Sequence, residues 1–125
     1  MPALVIGLLG GSVCYFALNV KNKLGYDDSL DAFGVHGIGG ILGTIGTGLF
    51  AEKFLNSSGA DGLFFGNPHQ LVIQIMSIAV VVAYSFSVTF ILLKLLSWTI
   101  GLRVSEEDEI LGLDISQHEE SGYTL

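Results

Sequence analysis

No charged side chain occurs between residues 70 and 93, a stretch dominated by Val, Ile, Leu, Ala and Phe. A helix needs about 20 such residues, at ~1.5 Å each, to cross the hydrocarbon core of a bilayer. Residues 1–20 are also free of charge. Charged residues make up 14% of the chain, whereas a soluble domain carries about 25%. These runs specify an all-α membrane protein before any motif is considered.

The net charge of −7 is concentrated at one end. Glu106, Glu107, Asp108, Glu109, Asp114, Glu119 and Glu120 all lie in the last 25 positions, which leaves the remainder nearly neutral. No basic patch exists, which excludes nucleic acid as a partner. The single cysteine, Cys14, lies in an apolar run with no metal-ligand spacing around it and reads as a small packing residue. Met1–Val20 has no basic residues ahead of its apolar run and no small-x-small site after it, so it reads as a membrane helix, not a signal peptide.

The sequence predicts three spans and a tail. Helices are expected at about 3–20, 30–51 and 69–100, forming a membrane part over 1–100, with a tail over 101–125. The first span reaches roughly 27 Å. Lys21 and Lys23 follow it, then the polar run Gly25-Tyr26-Asp27-Asp28-Ser29. Asp28 or Ser29 is expected to cap the second helix, and Asp31 to sit in its first turn. The third span would be roughly 45 Å long, so it must tilt or project. Lys94 can snorkel and Trp98 suits an interfacial belt. Lys21, Lys23, Lys94 and Arg103 flank one side and only Lys53 the other, which places the 21–29 loop and the tail in the cytoplasm.

The second span carries glycine at 34, 37, 39, 40, 43, 46 and 48. Such a helix is poor in water, but inside a membrane it allows close backbone contact between helices. The glycines fall all around it, so it is expected to be enclosed by more helices than three spans provide. The chain therefore reads as part of something larger.

His36 is the residue with chemistry. Ionisable groups inside membranes are costly and tend to face a pathway or a partner. His36, Gly40, Gly43 and Thr47 share a face at i, i+4, i+7, i+11 spacing. That small, polar face could border a narrow pore, and a neutral imidazole can donate, accept and relay a proton. An interhelical hydrogen bond without a transport role explains His36 equally well. Gly7, Gly11 and Cys14 form a small face on the first helix, read as packing. Gln74, Ser77, Ser85, Ser87 and Thr89 are expected to make interhelical or backbone bonds. No nucleophile elbow, phosphate loop or metal-ligand cluster occurs, so an enzyme, a cofactor and a metal site are not expected.

The run Asp31-Ala32-Phe33-Gly34-Val35-His36-Gly37-Ile38-Gly39-Gly40, preceded by Asp27-Asp28, resembles the penultimate helix of the ammonium transporter (Amt) family. Gly101-Leu102-Arg103-Val104, then Glu106-Glu107 and Gly112-Leu113-Asp114, resembles that family's cytoplasmic C-terminal region. The resemblance covers essentially all 125 residues. It implies the last three helices and the tail of an eleven-helix bundle in the cell (plasma or inner) membrane. It implies ammonium transport as part of a complete, trimeric transporter, with the missing N-terminal helices of the same protein as neighbours. His36 would be the second of two pore histidines, its partner lying on an absent helix, so the piece alone should not conduct. Asp31 would stand at the cytoplasmic end of the same helix, capping it, contacting the tail or attracting cations. Phe33 would pack between helices or lie near the pore vestibule. Gly101, Leu102, Arg103, Glu106 and Asp114 would belong to a regulatory tail that docks on its own and a neighbouring subunit, with Arg103 ion-paired to an acid. A solvated acidic tail is the alternative. A P-II signalling protein, which blocks many bacterial members from the cytoplasm, becomes a candidate partner. Where the family commonly has a glycine after the tail histidine, this chain has Glu119. Two other readings are a truncated, non-transporting subunit that modulates full-length trimers, and an unrelated three-helix membrane protein.

Overall fold

The computed structural model describes residues 2–122. Met1, and with it the first residue of the chain, and Tyr123–Leu125 at the end of the expected tail lie outside the described residues. All regular secondary structure among the described residues is helical, and three of the helices are long and apolar enough to cross a membrane. It divides into two compact units, one ending at Ala83 and the other beginning at Tyr84, within the third long helix.

In the first unit, α1 (Pro2–Leu24) is followed by a π turn over Phe33–Gly37, which runs directly into α2 (Ile38–Phe50). The first expected span is thus longer by a turn and includes Lys21 and Lys23 in its last turn. The second starts later than expected, because the polar connection takes up residues as far as Asp31. One stripe of α1 is partly covered: Ile6, Gly10, Val13, Cys14, Ala17, Leu18 and Lys21. Their i, i+4, i+7, i+8 spacing is that of a single helix face. Against it lie the glycines of the second span. A Cβ on Gly34 would meet Leu18, one on Gly39 the Cys14 sulfur at 3.3 Å, and one on Gly46 the Ile6 side chain at 3.1 Å. Small residues bring these backbones together because apolar attraction between helices is weak in lipid. Gly7 and Gly11 take no part, since a Cβ at either meets nothing within 4 Å. Of the small face expected on α1, Cys14 is the member that meets the second span, and the stripe covered by that span is set by Ile6 and Leu18.

After α2 the chain turns through a polar loop. Asp61 accepts the Lys53 amide at 2.7 Å, and Gly62 donates to the Ala51 carbonyl at 2.7 Å. Gly62 is buried so tightly that a Cβ would fall 2.7 Å from the Leu49 carbonyl oxygen. A short 3₁₀ turn, Leu63–Phe65, ends at Gly66 with φ 89°, and the Phe64 ring rests 5.0 Å from that of Phe50. α3 (Pro68–Thr99) then begins, with Leu71 and Gln74 packed on Gly48 of α2. Ser77 bonds back to the Gln74 carbonyl at 2.9 Å.

In the second unit the remainder of α3 is largely apolar, and nearly all of it is exposed. Phe86 is 72% and Trp98 88% accessible, and the rings of Phe86 and Phe90 stack. Gly101, with φ 79°, terminates the helix and donates to the Leu96 carbonyl at 3.1 Å, the left-handed stop that glycine permits. Two short helices follow, α4 (Glu106–Leu111) and α5 (Leu113–His118), hinged at Gly112 with φ 98°. No described hydrophobic residue is fully buried. An apolar surface of this extent on a soluble chain would be a binding or aggregation surface; on spanning helices it is the surface turned to lipid or to further helices.

Candidate functional site: the entry to the second span

The site is built from the start of the second span. Asp28 caps that start: its two carboxylate oxygens accept the amides of Ala32 at 2.9 Å and Phe33 at 3.1 Å. These are two of the donors that every helix start leaves without an intrahelical partner. Ser29, the other residue expected as a cap, instead donates to Asp27 at 3.3 Å.

Asp31 does not occupy the first helical turn. It precedes it, with φ 55° in the left-handed region that Asp enters more readily than most residues. Its amide donates to the Asp28 carbonyl at 3.0 Å. Its carboxylate pairs with the Lys21 ammonium from the last turn of α1, and Lys21 also donates to the Asp28 carbonyl at 2.9 Å. The Asp31 carboxylate thus bonds the neighbouring helix, and the side chain that caps the helix start is that of Asp28.

His36 lies within the π turn, where the Ile38 amide donates to the Phe33 carbonyl five residues back. π turns are rare and occur often at functional sites. Gly37 makes room for the Phe33 ring, which would stand 2.9 Å from a Cβ there. His36, Gly40 and Thr47 are exposed and Gly43 is half-exposed, and a Cβ on Gly40 or Gly43 would meet nothing within 4 Å. The face is small and open. Its hydroxyls are engaged within the helix, since Thr44 donates to Gly40 at 2.9 Å and Thr47 to Gly43 at 3.0 Å. With those donors taken up inside the helix, the His36 imidazole is the titratable group on this face. No group of three or more His, Cys, Asp or Glu residues poised for a metal ion occurs among the described residues.

The tail residues lie in the other unit. Gly101 ends α3 and Leu102 follows it, exposed. Arg103 makes a two-pronged contact with Glu109, Nε–Oε1 at 2.7 Å and Nη2–Oε2 at 3.0 Å. That guanidinium holds the Glu109 carboxyl below the ordinary glutamate range. Ser105 caps α4 by accepting the Asp108 amide at 3.1 Å. Glu106 and Asp114 stand in the first turns of α4 and α5, where carboxylates suit the helix dipole. Sequence reasoning missed Lys21 as a site residue. Its partner lies ten positions on, across a connection that no periodicity spans. The π turn was missed because glycines on every side of the second span hide any phase shift.

The sequence matches the Ammonium Transporter Family over residues 1–123. The chain belongs to the ammonium transporter family. It is 49% identical over 122 residues to an ammonium transporter of Bacillus subtilis, covering 97% of this chain and 30% of that protein. It is equally similar, at 49%, to an ammonium transporter of Archaeoglobus fulgidus, with 98% of this chain and 31% of that one covered. Ammonium transporter 1 of Dictyostelium discoideum is 39% identical over 115 residues, 92% of this chain and 25% of the other. The chain thus spans about 30% of the length of the first two relatives. Family membership and three apolar helices of spanning length together make it part of a multi-pass membrane protein of a transporter family, not an enzyme family.

Proposed function

We propose that this chain supplies one wall of an ammonium pathway, with His36 as the polar group that meets ammonium or ammonia. The reading is carried by one observation: an imidazole on an open face of small residues, in a chain whose family is that of ammonium transporters. A positioned imidazole can accept a proton from ammonium or hydrogen-bond the neutral amine.

In this reading residues 1–100 are the end of the membrane domain and 101–125 its cytoplasmic tail. The placement of four of the five basic residues supports that orientation. The open face and the exposed apolar surface of α3 would be covered by the remaining helices of the same transporter and by other copies in a homotrimer. Gly101, Leu102, Arg103, Glu106 and Asp114 would form the segment through which subunits, or a P-II signalling protein, act on transport.

The test is His36→Ala in a full-length transporter carrying this sequence, with uptake of labelled methylammonium measured in cells lacking their own system. Uptake is expected to fall on the order of 100-fold, the scale of a lost proton-transfer group. Unchanged uptake at normal membrane abundance overturns the pathway role. If the 125-residue chain is produced alone and lowers the uptake of full-length copies, a modulating, non-transporting subunit is the better reading.

A further inference from the structure

We propose that Asp28 is a positioning residue for His36, acting through the π turn, with the Lys21–Asp31 pair holding the same turn to α1. The inference rests on His36 being a pathway residue and names what aims it.

The geometry is in the glycine spacing. Gly34 and Gly39 both face α1, Gly34 beneath Leu18 and Gly39 beside Cys14. They are five positions apart. In an unbroken α-helix the residues sharing a face with Gly34 would be Gly37 and Ile38, since neighbours on a face recur at i+3 and i+4. The i+5 bond from Ile38 to Phe33 brings Gly39 there instead. Gly46 continues the same face against Ile6.

Suppose the turn reverted to α while Gly34 stayed under Leu18. Every residue beyond it would rotate by about one step, roughly 100°. Ile38 and Ile45 would then be driven towards α1 where Gly39 and Gly46 now fit. The face carrying Gly40, Gly43 and Thr47 would swing with them relative to α1, and His36, inside the turn, would be carried part of the way, away from the direction in which the packed helix pair now presents it.

A π turn is an uncommon conformation and persists only where its surroundings select it. Here the selection comes from the entry. Asp28 fixes the amides of Ala32 and Phe33, the two residues at which the turn begins. Lys21 binds both the Asp31 carboxylate and the Asp28 carbonyl, tying that entry to α1. The Asp28 carboxylate bonds to backbone amides and not to His36, so its influence on the imidazole is transmitted through the backbone.

The experiment uses the full-length transporter with its other cysteines replaced, Cys14→Ser among them, and a reporter introduced by His36→Cys. The rate of its modification by a small cationic methanethiosulfonate is measured with and without Asp28→Ala. A second reporter, Ser57→Cys in the exposed loop, is the control for general loosening. Methylammonium uptake against concentration is measured in the same variants with His36 restored. The expected result is a changed modification rate at position 36, an unchanged rate at position 57, and a maximal uptake rate lowered on the order of 10- to 100-fold, as a misplaced reacting group costs. Asp28→Asn keeps one acceptor and should fall between; it carries the comparison if Asp28→Ala fails to reach the membrane. Modification and uptake both equal to the parent overturn the inference, as does an equal change at positions 36 and 57. Unchanged uptake in His36→Ala overturns the pathway reading instead, while the modification rates still decide whether Asp28 orients the turn.

Discussion

The ammonium of Lys21, at the end of one span, is bound by the carboxylate of Asp31, at the start of the next. The lysine side chain is 12% exposed and the aspartate 39%, so the pair is shielded more than a surface ion pair and belongs to the helix connection itself. Removing the charge and disturbing the backbone are separable here. Asn tolerates the left-handed conformation and Ala does not. Asp31→Asn should therefore loosen the connection through the lost charge alone. Asp31→Ala should add about 1 kcal/mol of backbone strain. Thermal unfolding in detergent is expected to rank the parent above Asp31→Asn and both above Asp31→Ala.

Glu109 gives a pH dependence with a defined sign. Arg103 lowers its folded-state pKa. The stabilisation is therefore present above the ordinary glutamate pKa and disappears as pH falls through the lowered value. The protection of the α4 amides, taken relative to their intrinsic exchange rate at each pH, should fall on acidification through that range. In Glu109→Gln the exchange should already be faster near neutrality, and this component of the pH dependence should be gone. An identical pH profile in the two proteins would show that the pair does not hold the segment.

Glu119 ends α5 with φ 53°, and the following amide, of Glu120, donates to Asp114 at 2.9 Å. This is the left-handed helix stop at which glycine is favoured. Glu119→Gly should stabilise α5 by about 1 kcal/mol through relief of that strain. Slower amide exchange across residues 114–118 would register it, and faster exchange would count against the assigned conformation.

Gly62 is hemmed in by backbone on the far side of the spans. Its missing Cβ would stand 2.7 Å from the Leu49 oxygen and 2.9 Å from that of Gly48. Main-chain atoms cannot step aside as a flexible side chain can. Gly62→Ala is expected to cost roughly 1–3 kcal/mol and to lower folded yield, whereas Gly66→Asn, at an open left-handed position, should be mild.

Much of this was legible in the sequence because composition alone sets it. Charge-free runs locate α1 and α3, and the polar Gly25–Ser29 run marks where the chain turns. That the second helix would be capped by Asp28 or Ser29 follows from their position just ahead of a glycine-rich helix, and the choice of Asp28 comes from the structure. Which face of α1 meets the second span was not legible, because small residues draw attention to Gly7 and Gly11, while that contact is made by Ile6 and Leu18 reaching into glycines on the other helix. Whether a glycine is the knob's socket or merely bare surface depends on the partner, which its own helix does not encode. The left-handed turn at Asp31 was equally invisible, since an aspartate ahead of a helix reads first as a cap. In the tail, the missing glycine after His118 was visible, and the structure supplies its meaning as a strained stop.

The interval from Gly34 to Gly39 behaves as a gear tooth. Within it the number of residues matters more than their identity, because that number sets the phase between the anchored entry and everything that follows. A substitution there alters one contact. A single-residue insertion would turn the rest of the span as one body, moving glycines off α1, whereas a single-residue deletion can be absorbed by the π turn closing to α, with Gly39 then four positions from Gly34 and still against α1. The segment therefore encodes a count with one residue in reserve, so that for the packing of this span a gain in length should prove more disruptive than a loss.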